Sequence, residues 1–131
     1  MLLDEVGAYL QTHGIGTLGT DLFTGIMPDA PDAAVALIEY GGVEPMHALG
    51  GGTAKIERPR VQVLARATTY SAARTKIEAA YKVLDALAGE TLSGVRYLAV
   101  EALQSPFFLR RDENNRVECV FNVQIHKELS P

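Results

Sequence analysis

The chain has 131 residues, of which 47% are hydrophobic and 21% are charged, a composition typical of one soluble globular domain. Its formal net charge of −4 argues against a basic nucleic-acid-binding surface, and its single cysteine excludes an internal disulfide framework. The sequence has no apolar run of the ~18 residues that suggest a membrane span, and its acidic start is unlike a secretory signal. We therefore expect a cytoplasmically made protein.

Hydrophobic periodicity predicts a helix over residues 2–12, because apolar residues recur there at three- and four-residue steps. Gly14 follows and supplies the left-handed conformation that often ends a helix. Two short strands are predicted next, at 21–27 and 34–40. The Pro-Asp-Ala-Pro-Asp turn that begins at Pro28 separates them.

Residues 41–57 are rich in glycine and predict a flexible loop. A connection of this length is unusual in a compact domain and is often functional. We expect it to be a mobile arm. The stretch Gly50–Lys55 lacks the spacing of a phosphate-binding loop and no helix follows it, so a plain loop is the preferred interpretation.

The central part of the chain predicts a strand and then the longest helix. Residues 60–67 alternate between apolar and polar side chains, which indicates a strand. Residues 71–88 carry an apolar stripe at helical spacing. Ser71 is the predicted N-cap of this helix and Gly89 its predicted end.

Three strands are predicted in the last third of the chain. The first covers 95–103, and the other two form a hairpin of 107–111 and 116–127. Asp112–Asn115 form its turn. The strict alternation of the final strand places Cys119 on the inward face with four apolar neighbours.

This order of elements predicts an α+β fold with a mostly antiparallel sheet of about five strands and two helices packed on one face. The opposite face carries Arg60, Gln62 and Arg66 and must meet either water or a partner. The whole chain is expected to form one domain.

No candidate catalytic or metal site has the spacing that its chemistry requires. His13, His47 and His126 are far apart in sequence, and none lies at metal-ligand spacing from a cysteine or carboxylate. Cys119 is interpreted as a packing residue, and Asp112–Asn115 lack the pattern of a calcium loop. We therefore predict a protein that is not an enzyme and has no cofactor and no metal.

Seven stretches, taken in this order, resemble a known family. They are Pro28–Asp32, Tyr40–Gly42, Glu57–Val63, Tyr70–Arg74, Gln104–Leu109, Arg111–Asn114 and Asn122. The Gln-Ser-Pro-Phe-Phe-Leu stretch is the most specific of them. Over nearly its whole length the chain resembles the minor capsid or tail terminator family of long-tailed bacteriophages, although Asn115 stands where glycine is common in the turn.

The resemblance implies a structural virion protein of the phage neck that forms a hexameric ring. Such a ring caps the completed tail tube, stops its polymerisation and joins the tail to the head. The implied partners are other copies of the chain, the tail tube protein and the head–tail connector protein. DNA is expected to pass through the ring without sequence-specific binding, and no membrane is involved.

Two alternatives remain open from sequence. One is a head-closure or connector-adaptor subunit of the phage neck, and the other is a small ligand-binding or enzymatic α+β domain. For the leading hypothesis, we expect contacts from the 41–57 loop, the 107–116 hairpin and the polar sheet face. For Arg60, Gln62 and Arg66 on that face, a solvated surface is an equal alternative. The candidate contact residues are Glu44, Met46, His47, Lys55, Arg58, Arg60, Gln62, Arg66, Phe108, Arg110, Arg111 and Asp112.

Overall fold

A computed structural model describes residues 2–47 and 55–128. In this part of the chain it contains two helices and seven strands. Their order is α1 (Leu2–Thr12), β1 (Leu22–Thr24), β2 (Ala34–His47), β3 (Lys55–Ala67), α2 (Tyr70–Asp85), β4 (Thr91–Leu92), β5 (Val95–Ala102), β6 (Phe107–Arg111) and β7 (Val117–Glu128).

The described strands form one sheet in the order β1-β2-β3-β7-β5-β4. β3 pairs with one edge of β7 along nearly its whole length, and β5 and β6 share the other edge. Every pair is antiparallel except β1 with β2, which is parallel. The predicted α+β class is therefore confirmed, but the sheet is mixed and has seven strands rather than about five.

Both helices pack against the same face of the sheet and share one apolar core with it. Val6 and Leu10 of α1, Ile77 and Leu84 of α2, and Phe121 of β7 are all fully buried there. Burying a side chain of this size contributes roughly 1.5–3 kcal/mol. The inward residues of β7 are those that the alternation predicted: Val117, Cys119, Phe121, Val123 and Ile125.

The ends of α2 differ from the prediction. The N-cap is Thr69 rather than Ser71, and its hydroxyl oxygen accepts a hydrogen bond from the amide of Ala72 at 3.2 Å. The helix ends with Ala86 as its C-cap instead of continuing to Gly89. Gly89 has a φ of +88° in the turn that follows, where glycine avoids backbone strain.

The predicted loop at 41–57 is largely strand where it is described. Its two ends belong to β2 and β3, and residues 48–54 lie outside the described part of the chain. Gly42 pairs with Pro59, and the register between the strands shifts on both sides of this pair. Such bulges allow glycine and proline within a strand, so these residues gave a misleading loop signal.

A buried polar cluster fastens α1 to the sheet. The Tyr97 hydroxyl donates a hydrogen bond to Glu5 Oε1 at 2.7 Å, and Lys127 Nζ lies 3.9 Å from the same oxygen. All three side chains are largely excluded from solvent. Burial acts to raise the pKa of Glu5, but the Tyr97 hydrogen bond and the Lys127 charge are among the interactions that hold it below its ordinary value.

A second cluster, centred on Arg116, joins the 28–32 turn to the turn between β6 and β7. The buried guanidinium contacts Asp29 at 3.0 Å, Asp32 at 3.2 Å and Asp112 at 2.7 Å. Arg66 donates a further hydrogen bond to the Asp32 carbonyl at 3.2 Å. Burial acts to raise the pKa of Asp112, but the hydrogen bonds from Arg116 hold it below its ordinary value.

We expect Tyr97→Phe to lower the free energy of unfolding by about 1.5–3 kcal/mol, because a buried carboxylate loses a hydrogen-bond donor. Urea denaturation at neutral pH measures this loss. The matched control is Tyr81→Phe, which removes the hydroxyl of a tyrosine that is only partly buried. Equal effects of the two substitutions would contradict the role given to the Tyr97 hydroxyl.

Glu5→Gln is expected to change how stability depends on pH. Because the folded pKa of Glu5 lies below its ordinary value of 4.5, the carboxylate stabilises the fold above that pH. This contribution is lost as the pH falls through the folded pKa. Urea midpoints measured from pH 6 down to pH 3 should therefore fall more steeply for the wild type than for Glu5→Gln, and parallel profiles would refute the assignment.

Arg116→Lys should loosen the 28–32 turn, because a lysine ammonium cannot reproduce the planar fork that holds three carboxylates. We expect faster amide hydrogen exchange at 25–33, measured by mass spectrometry, while the centre of β7 keeps its protection. Arg111→Lys is the control, since Arg111 is exposed. Unchanged exchange at 25–33 would show that other contacts hold the turn.

Candidate assembly surface

The sheet face opposite the helices forms a groove of about 370 Å³. Ile38 of β2 and Leu109 of β6 line it from the two sides, and Leu64 of β3 lies between them. Its polar lining residues are Asp29, Gln62, Arg66, Arg110, Asp112, Glu113, Arg116 and Glu118. Apolar and paired polar groups therefore alternate across this face.

Most polar side chains predicted on this face are bonded within the chain. Arg66 is only 2% exposed and donates to backbone carbonyls, so it does not present the exposed side chain expected for a partner contact. Arg60 donates two 3.3 Å hydrogen bonds to Gln124. Arg110 lies 2.6 Å from the buried carboxylate of Glu118. Sequence reasoning missed these bonds because each joins residues that are close only in the folded chain: Arg66 bonds to the 28–32 turn, and the other two bonds join neighbouring strands.

Neighbouring groups within the chain shift the pKa values of two arginines on this face. The hydrogen bond that Arg110 donates to the Glu118 carboxylate raises the pKa of Arg110 above its ordinary value. Burial, with the nearby charge of Arg116, lowers the pKa of Arg66. A guanidinium stays cationic under both influences, so these arginines act as fixed charges that hold the groove together.

Four of the predicted contact residues have only their backbone described. Glu44, Met46 and His47 belong to β2, and Lys55 begins β3. Their side chains are not among those that the structure describes. Arg58 is partly exposed in the middle of the same β2–β3 ladder.

β6 is the most exposed strand of the described sheet. All five of its residues are exposed, including Phe107 at 38%, Phe108 at 45% and Leu109 at 40%. The ring of Phe108 lies 6.2 Å from that of Tyr70, which is itself 51% exposed. Sequence reasoning expected contacts from the 107–116 hairpin and singled out Phe108 within it, but not Phe107 or Leu109, and it missed Tyr70.

The Gln-Ser-Pro segment before β6 fixes the position of this exposed strand. The Leu103 amide donates to the Asn122 carbonyl at 2.8 Å, and the Asn122 amide donates to Gln104 Oε1 at 2.9 Å. Arg74 of α2 donates to the Pro106 carbonyl at 2.7 Å. The chain thus leaves the β7 edge for a few residues and returns to it as β6.

The opposite end of the sheet also exposes apolar and charged groups. Ile26, just after β1, is 67% exposed. β1 covers only Val35–Leu37 of β2, and no described strand lies beside the rest of that edge. Glu39 is exposed on this uncovered part.

His13, His126 and Cys119 occupy ordinary structural positions. His13 Nδ1 lies 2.9 Å from the Tyr9 carbonyl, and His126 lies 3.4 Å from Glu101. Cys119 is buried, and burial raises the pKa of its thiol. Within residues 2–47 and 55–128, no group of three histidine, cysteine or acidic side chains is placed to hold a metal ion. No helix in this part of the chain combines the length and apolar character needed to cross a membrane.

Comparisons with known proteins agree with this fold. Residues 9–129 match the family model described as "Bacteriophage tail terminator protein". A chain of the solved structure titled "Virion of native gene transfer agent (GTA) particle" shares the fold with a TM-score of 0.66 at 19% identity, over 98% of this chain and 95% of that one. A comparison with curated proteins found no match.

The family match covers nearly all of the chain and confirms the resemblance seen in the sequence. It includes both turns of the Arg116 cluster and the exposed strand β6. The protein therefore belongs to the bacteriophage tail terminator family and is a structural protein of a phage-type virion.

Proposed function

We propose that the protein forms a ring that caps the completed tail tube, stops its polymerisation and presents a surface for joining the tail to the head. The observation that carries this proposal is β6, a strand of five exposed residues at an edge of the sheet. Exposed edges with apolar side chains favour association, and natural proteins keep them when they have a partner for them. In a tail terminator chain, a neighbouring subunit is the fitting partner.

A ring explains how one small subunit can stop a tube. A tube grows by adding subunits at its end, so a closed ring bound there blocks further addition. Ring closure requires a heterologous contact in which one patch of a subunit meets a different patch of the next. The exposed groups at the two ends of the described sheet supply two such different patches.

The proposed neck position gives the ring two further partners. The tail tube protein contacts one side and the head–tail connector protein contacts the other. Each subunit carries a formal charge of −4, so six copies form an acidic ring. Like charge keeps DNA phosphates from adhering to a lumen, which allows DNA to pass without sequence-specific binding.

Among the contact residues expected from sequence, Phe108 and Arg111 best fit this role, because both are exposed on β6 and neither is held by a buried carboxylate as Arg110 is. Arg66 and Asp112 instead hold the fold together around Arg116. We propose that they act indirectly, by keeping the β6–β7 turn in place. The role of the protein is thus structural rather than catalytic.

The tube-capping role is tested by adding the purified protein to polymerising tail tube protein and measuring tube lengths by negative-stain electron microscopy. We expect growth to stop when about one ring per tube end is present, far below one copy per tube subunit, with a ring visible at the end. Bovine serum albumin at the same concentration is the control. Unchanged tube lengths, with binding only to the connector, would overturn the proposal in favour of a head-closure subunit.

A further inference from the structure

We propose that β6 of one subunit pairs with the uncovered edge of β2 in the next subunit, so that neighbouring sheets join strand to strand. This inference rests on the proposed ring and adds which surfaces meet. The occupant of the β6 edge is therefore a second copy of this chain.

The sheet order places these two edges at opposite ends of the molecule. β6 pairs with β7 alone among the described strands. At the other end, β2 extends past Leu37 without a described neighbour on the β1 side. A head-to-tail contact uses one edge of each kind, and closure of the ring then leaves neither edge open.

The end strand β1 is short, and the turn before it bonds to its first residue. The Leu22 amide donates to the Thr17 carbonyl at 3.2 Å, and the Leu22 carbonyl accepts from the Gly19 amide at 2.9 Å. The turn at 17–19 therefore occupies the backbone groups of Leu22, the first residue of this three-residue strand. The free part of β2, Ile38–His47, is longer than β6 and can accommodate its whole length.

Exposed apolar side chains mark both edges. Among the described residues, one exposed large hydrophobic side chain, Ile26, follows β1 at one end of the sheet, and a group of five lies on or near β6 at the other. The members of this group are Tyr70, Leu103, Phe107, Phe108 and Leu109. Joining the two ends removes Ile26 and this group from water.

The charges of the two edges are also complementary. Arg111 is exposed on β6 and donates a hydrogen bond only to the Asn115 carbonyl among the described groups, at 3.3 Å. Glu39 is exposed on the uncovered part of β2. Opposite charges at the two edges favour the head-to-tail contact over a contact of like edges. Because the chain as a whole is acidic, a second copy is a suitable partner for the basic end of β6.

The test uses two variants that block one edge each. Phe107→Lys places a charge on β6, and Ile26→Lys places one beside β2. Ala79→Lys adds the same charge to an exposed position of α2 and is the matched control. The three side chains are exposed, so thermal melting should show that all variants fold. Association is measured by native mass spectrometry in solution, and ring occupancy by electron microscopy on tail tube ends.

We expect each edge variant to lose at least tenfold in association and to form no rings, whereas Ala79→Lys behaves as the wild type. An equal mixture of the two edge variants should form dimers but no rings, because each partner contributes one intact edge. Rings of either edge variant at wild-type level would overturn the pairing. So would a mixture without dimers, which would indicate that β6 contacts the tube protein instead.

The outcomes also separate this inference from the tube-capping role. A wild-type ring that assembles through these edges but does not stop tube growth would refute the proposed function and leave the strand pairing supported. Tube capping by normal rings of Phe107→Lys would refute the pairing alone. A wild-type protein that stays monomeric in solution and at tube ends would refute both.

Discussion

The fold depends on β7, which forms hydrogen bonds along both of its edges. β3 occupies one edge for nearly the full length of the strand, while β5 and β6 divide the other. The inward side chains of β7 build the core beneath α2. Its outward side chains Glu118 and Gln124 accept hydrogen bonds from arginines of neighbouring strands. Because β7 is paired along both edges, it holds β6 in place, although no described strand pairs with the outer edge of β6. A rigid edge loses less conformational entropy on association than a mobile one.

The Arg116 cluster limits where a partner can bind. It draws the 28–32 turn across the end of the sheet, so that two stretches about 80 residues apart in the chain become one surface. These are two of the stretches that carried the family resemblance, and their shared role is to satisfy one buried guanidinium. Arg66 and Glu118 complete the polar interior of this face. Because most polar side chains of this face are already paired within the chain, the strand edges are the better sites for a neighbour.

The sequence predicted those elements whose periodicity is set by one buried face. α1 and β7 have nearly the predicted bounds, because apolar residues recur there at the spacing of the helix or strand. The second half of β2 was not predicted, since Gly41 and Gly42 signal a turn unless a partner strand absorbs them in a bulge. The burial of Arg66 was equally inaccessible, because its acceptors belong to a distant turn. Such long-range polar pairs leave no periodic pattern in one sequence.

The two ends of the sheet are protected unequally, and this difference favours assembly over a solitary subunit. A monomeric protein usually blunts every edge with charges, bulges or covering loops. Here the turn at 17–19 bonds to the first residue of β1, but no described strand covers the outer edge of β6, which carries three exposed apolar side chains. Of the two charged residues of β6, Arg110 is already paired with Glu118. Arg111 is therefore the one charge on this strand that can oppose pairing with an unsuitable strand. An apolar strand edge with one unpaired charge exposes hydrophobic surface to water in the isolated subunit. A second copy that covers this edge removes the surface from water and stabilises the assembly.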